Sequence, residues 1–563
     1  MHRVPLAPSV TALVITLAAC GTAPATLREP ASPAAAPGER SIEQTSPGRR
    51  APAELVASFD GMGEEFVGPQ GNAFARNPSD NSLAVGPDHI VQIVNSRMAI
   101  FTKQGNRFAE TGRALYGPVP TNNVFRGFGG PCEARPNGDA VVRYDQLADR
   151  WLIVMPLFWR APRRAQEPVA GKSGEPARHS EIGHPGQPGE AVRLYEPPSA
   201  PPTPRDAPRD ARPRVRPPAD SGSYGMCYAV STGADPFGPY YRYYFVRPLF
   251  PDYPRPAVWP DGYYVPTSTG DDVVQKQLCV ADRQRMLRGE PATEQCVVID
   301  GVNFLNAADL DGRQLPPAGA PEVVLAAGGT QLKKILGDDA IFAWTFHVDW
   351  NDTSKTSLSG PRRIPVAPYH YLCGGQLTNC VPQPGTDRRL DAQGDKLMAR
   401  VVYRRIGDQE SIVAAHSVAS ASGGGAVRWY ELRLDDARRP VLYQQGSYAP
   451  DSSYRWMPSP AMDAHGNIGI GYSFGGLPGF AGQRFAGRLA NDPPGLLTLR
   501  EAVLATGAAA QESTMRWEDY TQTAVDPSDD CTIWYVGDYL KRGAAEYSTR
   551  IGAFRMPGCH GAD

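Results

Sequence analysis

The residues able to do chemistry in this chain are carboxylates, guanidinium groups and a histidine that lie far apart in sequence. Asp80, Asn95, Asp139, Arg255, Asp395, His416, Arg455, Glu518 and Asp519 each stand beside a short strand-like run. Two carboxyl groups about 5–10 Å apart across a glycosidic bond can serve as acid and base, and Asp139 with Asp519 would make such a pair. Guanidinium groups beside aromatic planes suit sugar rings and acidic ligands. Arg428-Trp429, Arg455-Trp456 and Arg516-Trp517 offer that pairing, although Trp at such places also serves plain packing between sheets. Gly471-Tyr472-Ser473-Phe474-Gly475 has the outline of a nucleophile elbow, but an elbow must open a helix. Here Gly476, Pro478 and Gly479 follow, and no helix can start. Asp526, Asp529 and Asp530 could hold calcium through oxygen ligands; an Asp-rich hairpin turn that bonds its own backbone is the better reading. No metal or cofactor is called for.

The elements that position these residues repeat. Ser82 to Asn95, Pro256 to Val265, Pro460 to Ser473 and Thr523 to Val536 share one layout: a small-apolar strand, a Gly/Pro/Asp/Asn turn, then a strand of β-branched and aromatic residues. Looser copies begin near Ala140 and Ala399, and Glu322 to Leu325 with Ala340 to His347 makes a degenerate seventh. Helical periodicity is confined to short pieces such as Ala281 to Gly289. The 58 glycines and 56 prolines fit many short strands, being about a fifth of the chain against a usual 12%. With the long insertion removed, the spacing is roughly 55 to 80 residues, which suits four-stranded β-propeller blades with long loops. The expected fold is therefore all-β, a propeller of about seven four-stranded blades; a pair of β-sandwiches is the alternative. In a propeller, the segment leading into each inner strand and the loop leaving the second strand share one face. That places Asp80, Asn95, Asp139, His416, Arg455 and Asp519 on a candidate binding face.

Residues 1–19 combine a weakly basic start (His2, Arg3) with an apolar run from Val10 to Ala19, the layout of a secretion signal too short to span a bilayer. Residues 20–52, rich in Ala, Pro and Ser, read as a disordered tether, and 53–563 as the propeller domain. That domain is interrupted at 160–222 by a Pro/Arg-rich insertion with too few large apolar residues to offset the entropy of ordering. A formal net charge of −2 gives no reason to expect nucleic acid as a partner. Past Cys20, eight cysteines remain. Eight allow 105 connectivities; sequence neighbours suggest Cys279–Cys296, Cys373–Cys380 and Cys531–Cys559, leaving Cys132–Cys227. A zinc site competes, against an absence of C-x-x-C spacing and the oxidising compartment.

Leu17-Ala18-Ala19-Cys20 resembles the lipobox of bacterial lipoproteins. The resemblance implies that Cys20 carries fatty acyl chains such as palmitate and anchors the protein to a membrane. Gly21 in place of Asp after the Cys implies the outer membrane, facing the periplasm or the cell surface. The stretches Ala84 to Lys103, Gly138 to Trp151, Tyr403 to Trp429 and Arg455 to Ser473 look like a group of poorly characterised secreted bacterial propeller proteins, loosely sialidase-like in architecture. That similarity runs from about residue 70 to 559 and implies fold and export, with no activity attached. Arg363-Ile364-Pro365 resembles a sialidase tripeptide, though mid-chain, and Arg255, Arg455, Arg488 and Tyr520 could supply an arginine and tyrosine set. The expected role is to present a propeller face to a glycan or an extracellular protein; the alternative is a glycoside hydrolase acting on extracellular polysaccharide.

Overall fold

Short β-branched and aromatic runs broken by Gly, Pro and Asp can bury their apolar faces only in antiparallel strands joined by tight turns. The computed structural model is accordingly all-β. It describes residues 42–73, 76–162, 192–193, 222–268, 275–329, 336–375, 378–477 and 479–559. These belong to the unit Ser32–Asp563; the unit Met1–Ala31, with the apolar segment and Cys20, lies outside the described residues. No helix among the described residues is long and apolar enough to cross a membrane.

Most strands fall into four-stranded antiparallel meanders. Their first strands are Ser82–Val85, Val141–Asp145, Ala257–Trp259, Asn306–Asp311, Val401–Ile406, Tyr454–Met462 and Gln522–Val525. Each first strand touches that of the next meander, and the last touches the first, so they form a closed circuit. The fourth and fifth meanders are joined by parallel pairing, from Ala308 opposite Val401 to Asp311 opposite Arg404. The seventh is completed from the other end of the chain: Glu54–Gly63 pairs antiparallel with Ser548–Arg555. Neighbouring sheets pack face to face, as where the Phe485 and Phe554 rings stack at 4.1 Å. Gly471 is required at one such contact, since a Cβ there would lie 2.3 Å from the Tyr535 ring.

All four disulfides, Cys132–Cys227, Cys279–Cys296, Cys373–Cys380 and Cys531–Cys559, join the partners expected from sequence spacing. Cys279 and Cys296 are register partners on adjacent strands. A short helix, Arg283–Leu287, occupies the expected helical stretch, with the Asp282 side chain accepting from Arg285 N at 3.1 Å.

Three boundaries differ from expectation. The tether does not extend to residue 52: Glu43–Gln44 pairs in parallel with Ser447–Tyr448, and Gln44 Oε1 accepts from Leu497 N at 2.8 Å. Backbone and amide hydrogen bonds hold this segment, so the apolar pattern gave no sign of it. The fourth meander starts at Asn306, earlier than the expected Glu322, because Asn306–Asp311 is an inner strand rich in Asp and Ala with no β-branched residue. Of the expected insertion at 160–222, the strand Arg150–Pro162 covers the start, and Val192–Arg193 pairs with Pro239–Tyr240; residues 163–191 and 194–221 lie outside the described residues.

Candidate functional site

At five of the seven meanders the chain takes a left-handed residue as it turns toward the centre: Asp80 (φ 48°), Asp139 (φ 59°), Tyr253 (φ 53°), Met457 (φ 52°) and Asp519 (φ 66°). Asp tolerates this conformation better than most side chains, and three of the five are Asp. Because the turn recurs on one end of the circuit, residues hundreds apart in sequence meet there.

Asp80 is fully buried. Its Oδ2 accepts from Asn95 Nδ2 at 2.6 Å, while Oδ1 receives no donor from the protein. The Asp139 carboxyl lies against that of Asp80. Burial, followed by the charges of Asp139 and Asp519, pushes the Asp80 carboxyl well above the usual carboxylate range. Burial and then Asp519 raise Asp139. Tyr253 N donates to Asp139 Oδ2 at 3.2 Å, and the Tyr253 hydroxyl donates to the Asp519 carbonyl. Asp519 is gripped by Arg516 and by Gln393 Nε2 at 3.1 Å. Arg516 Nε also lies 3.3 Å from Asp391, whose carboxyl is pushed up to about 7 by burial and by Asp519. Tyr520 meets the Tyr253 ring edge-on at 4.9 Å, its hydroxyl buried without a hydrogen bond. Asn95, Asp139 and Arg516 are partly exposed, and they form the mouth above buried Asp80, Asp391 and Asp519.

Arg255 and Asp395 have other partners. The Arg255 guanidinium lies over the Tyr253 ring at 4.3 Å, and Asp395 pairs with Lys396 at 3.1 Å. Glu518 turns away from the mouth: its carboxyl takes Ser473 Oγ at 2.5 Å and Gln483 Nε2 at 2.8 Å. It shares this buried pocket with Asp538, which burial lifts to about 7.

Two expected site residues do not join the cluster. His416 lies inside the strand Gln409–Ala419, opposite Arg428, because that strand runs past the predicted loop. It is boxed by Tyr369, Tyr371 and Tyr430, bonds the Tyr430 hydroxyl at 2.9 Å, and burial drives its pKa well below the usual value. Arg455 precedes the turn at Met457 and therefore stays within the sixth meander, held by Asp451 and Glu501 at 2.9 and 2.8 Å. It does not meet Asp519. The three tryptophans of the Arg-Trp pairs are buried in packing, and Ser473 sits on a strand with no helix after it. Asp526 accepts from Ser528 N and Asp529 from Cys531 N and Thr532 N, as a self-bonding turn does, whereas Asp530 binds Arg404.

Sequence reading missed Asp391, Tyr253, Gln393 and Lys396. Three of these lie in the long lead to the fifth meander: Asp391 ends the short strand Thr386–Asp391, and Gln393 and Lys396 follow in irregular chain; their nearness to the Ala399 unit was the available signal.

A second charged cluster fills the centre of the circuit. Arg143 and Arg400 reach Asp309 Oδ2 at 3.0 and 2.8 Å, Arg400 also grips Asp311, and Val258 N donates to Asp309 at 3.0 Å. The cavity beside them is about 20 Å³, room for about one water.

No family model matches the chain, and no curated protein matches it. Solved structures match weakly. A protein of unknown function from Dyadobacter fermentans is 10% identical, with 89% of this chain and 100% of that one covered and a TM-score of 0.33. An α-L-arabinofuranosidase from Lactobacillus brevis is 12% identical over 55% of this chain and 92% of its own, at TM-score 0.27. A hypothetical protein from Leishmania major is 7% identical over 55% and 85%, at 0.25. These scores are too low to assign a fold or an activity.

Proposed function

We propose that this chain is an exported lipoprotein, anchored in the outer membrane through Cys20, whose seven meanders are the blades of a β-propeller and whose recess binds a glycan. The closed circuit of first strands and the borrowed strand Glu54–Gly63 support the propeller: a ring whose last sheet takes its outer strand from the N-terminal side ties the two ends of the domain together.

One observation carries the binding reading. Asp80 and Asp139 are held against each other in burial, where like charges are costly, and Asp80 Oδ1 has no donor from the protein. Such an arrangement adds nothing to folding, and it suits a ligand that brings hydroxyl donors. The partly exposed amide, carboxyl and guanidinium of Asn95, Asp139 and Arg516 suit the hydroxyls of a sugar unit. Binding is favoured over hydrolysis because an acid/base pair must straddle the substrate bond. Asp80 and Asp139 touch each other, and Asp519 is engaged by Arg516 and Gln393.

The test is a glycan array followed by calorimetry. The wild-type protein should bind an oligosaccharide saturably, and Asp139→Asn should weaken it at least tenfold with an unchanged melt. Equal binding by both proteins would defeat the reading. The anchor is tested by fractionation: Cys20→Ser should leave the membrane fraction, and a variant that stays there, processed as before, would refute lipidation.

A further inference from the structure

Beside the acidic cluster, cations gather on the rings of Tyr253 and Phe304. Arg255 comes from the lead to the third meander, Lys276 from its strand Lys276–Ala281, and Lys396 from the lead to the fifth. All three are buried, at 4%, 0% and 2% exposure. They converge on one ring: the Phe304 centroid is 5.2 Å from the Arg255 guanidinium, 5.4 Å from Lys276 Nζ and 4.0 Å from Lys396 Nζ. Asp395 serves Lys396 at 3.1 Å and Asn303 Nδ2 at 2.8 Å, and Lys396 also donates to Gln393 Oε1.

Arg255 is the informative member. Its Nη1 donates to two neutral acceptors, Asn306 Oδ1 at 2.8 Å and the Leu397 carbonyl at 2.9 Å. Its Nε and Nη2 are buried and make no hydrogen bond. A guanidinium presents its donors as a planar fork that matches two oxygens of one oxyanion. Burial without such a partner is costly, and an aromatic face offsets only part of that cost. The acidic cluster does not supply the partner, since Asp519 and Asp391 are engaged by Arg516.

We propose that Arg255, Lys276 and Lys396 form a subsite for a compact oxyanion, a carboxylate or a sulfate or phosphate ester, seated beside Phe304. This deepens the preceding reading and rests on it in one respect: the oxyanion is a substituent of the ligand bound at the mouth, which makes that ligand an acidic glycan.

The experiment uses the full chain in detergent and small anions, so that it does not depend on a glycan being found. Sodium sulfate, sodium phosphate and sodium acetate are titrated calorimetrically at constant ionic strength. At least one should bind saturably at one site per chain; acetate as the tightest points to a carboxylate, and sulfate or phosphate to an ester. Arg255→Gln and Lys396→Met should each weaken that anion at least tenfold, whereas Arg363→Gln, on the exposed edge strand Ser357–Pro365, should leave it unchanged. Saturable binding by none of the three anions, or equal binding by Arg255→Gln, overturns the subsite. If these variants fail to fold, a bromide-soaked wild-type crystal decides: an anomalous peak beside Phe304 is expected, and its absence refutes the proposal. Anion binding without glycan binding would retain the subsite and discard the glycan reading; the reverse would do the opposite.

Discussion

The two charged clusters at the centre of the circuit are built from the same residue types to opposite effect. In the inner cluster, Arg143 and Arg400 face Asp309 and Asp311, two cations against two anions, each in contact with its opposite. At the end of the circuit, Asp391 and Asp519 share Arg516, and Asp80 is set against Asp139. Matched charges with good geometry hold sheets together once buried, and breaking one is costly. Unmatched like charges destabilise the folded state, so their presence points to a task other than folding. The lesson is that burial of charge alone does not mark a site; the imbalance does.

The comparison can be broken most forcefully at Arg400. Arg400→Met strands buried Asp311 and leaves Asp309 with Arg143 as its one cation, and chemical denaturation should show a loss of about 3–5 kcal/mol. A loss below about 1 kcal/mol would mean that the inner cluster is no more structural than the recess. Asp519→Ala removes one of two acidic partners from partly exposed Arg516, which keeps Asp391, and should cost less, about 1–2 kcal/mol in the same measurement. At Asp80 the sign reverses. Asp80→Asn relieves repulsion from Asp139 and keeps an acceptor for Asn95, so at pH 8 the protein should gain about 1 kcal/mol. A loss of that size would place Asp80 among the structural charges.

The smallest expected effect is the pH trend. Asp391 and Asp538 have folded pKa values raised to about 7, both chiefly by burial. In the unfolded chain both are already ionised above pH 5. The folded state therefore holds protons that the unfolded state has lost, and stability falls as pH rises through 7. Buried His89, lowered to about 4 by desolvation, acts in the opposite direction, but mainly below pH 6.5. Melting temperature should thus decline between pH 6.5 and 8, and Asp538→Asn should flatten the decline. A rising profile in that window would show that these carboxyls ionise freely in the fold.

Much of the architecture was legible because a strand-turn-strand repeat is written in local residue types. Small-apolar and aromatic runs gave the meanders, and neighbouring cysteines suggested the disulfides. The site was legible only in part. Asp80, Asn95, Asp139 and Asp519 were visible as polar residues next to recognisable strands. Arg455 misled because the turn to the centre falls two residues later, at Met457, and His416 because its strand continues to Ala419. Such shifts of two or three residues decide whether a side chain reaches the centre or its own sheet.

By itself the sequence determined the all-β class and the repeat, since both follow from composition and spacing over tens of residues, and it suggested the cysteine pairing. Tertiary structure alone decided which charges meet. Asp80 and Asp519 lie at opposite ends of the chain, and the seventh meander must close onto the first before they share a recess. Whether an aspartate is paired, as Asp309 is, or pressed against another, as Asp80 is, depends on distances across sheets that no local pattern encodes. Coulomb energies change steeply over those few ångströms once water is excluded.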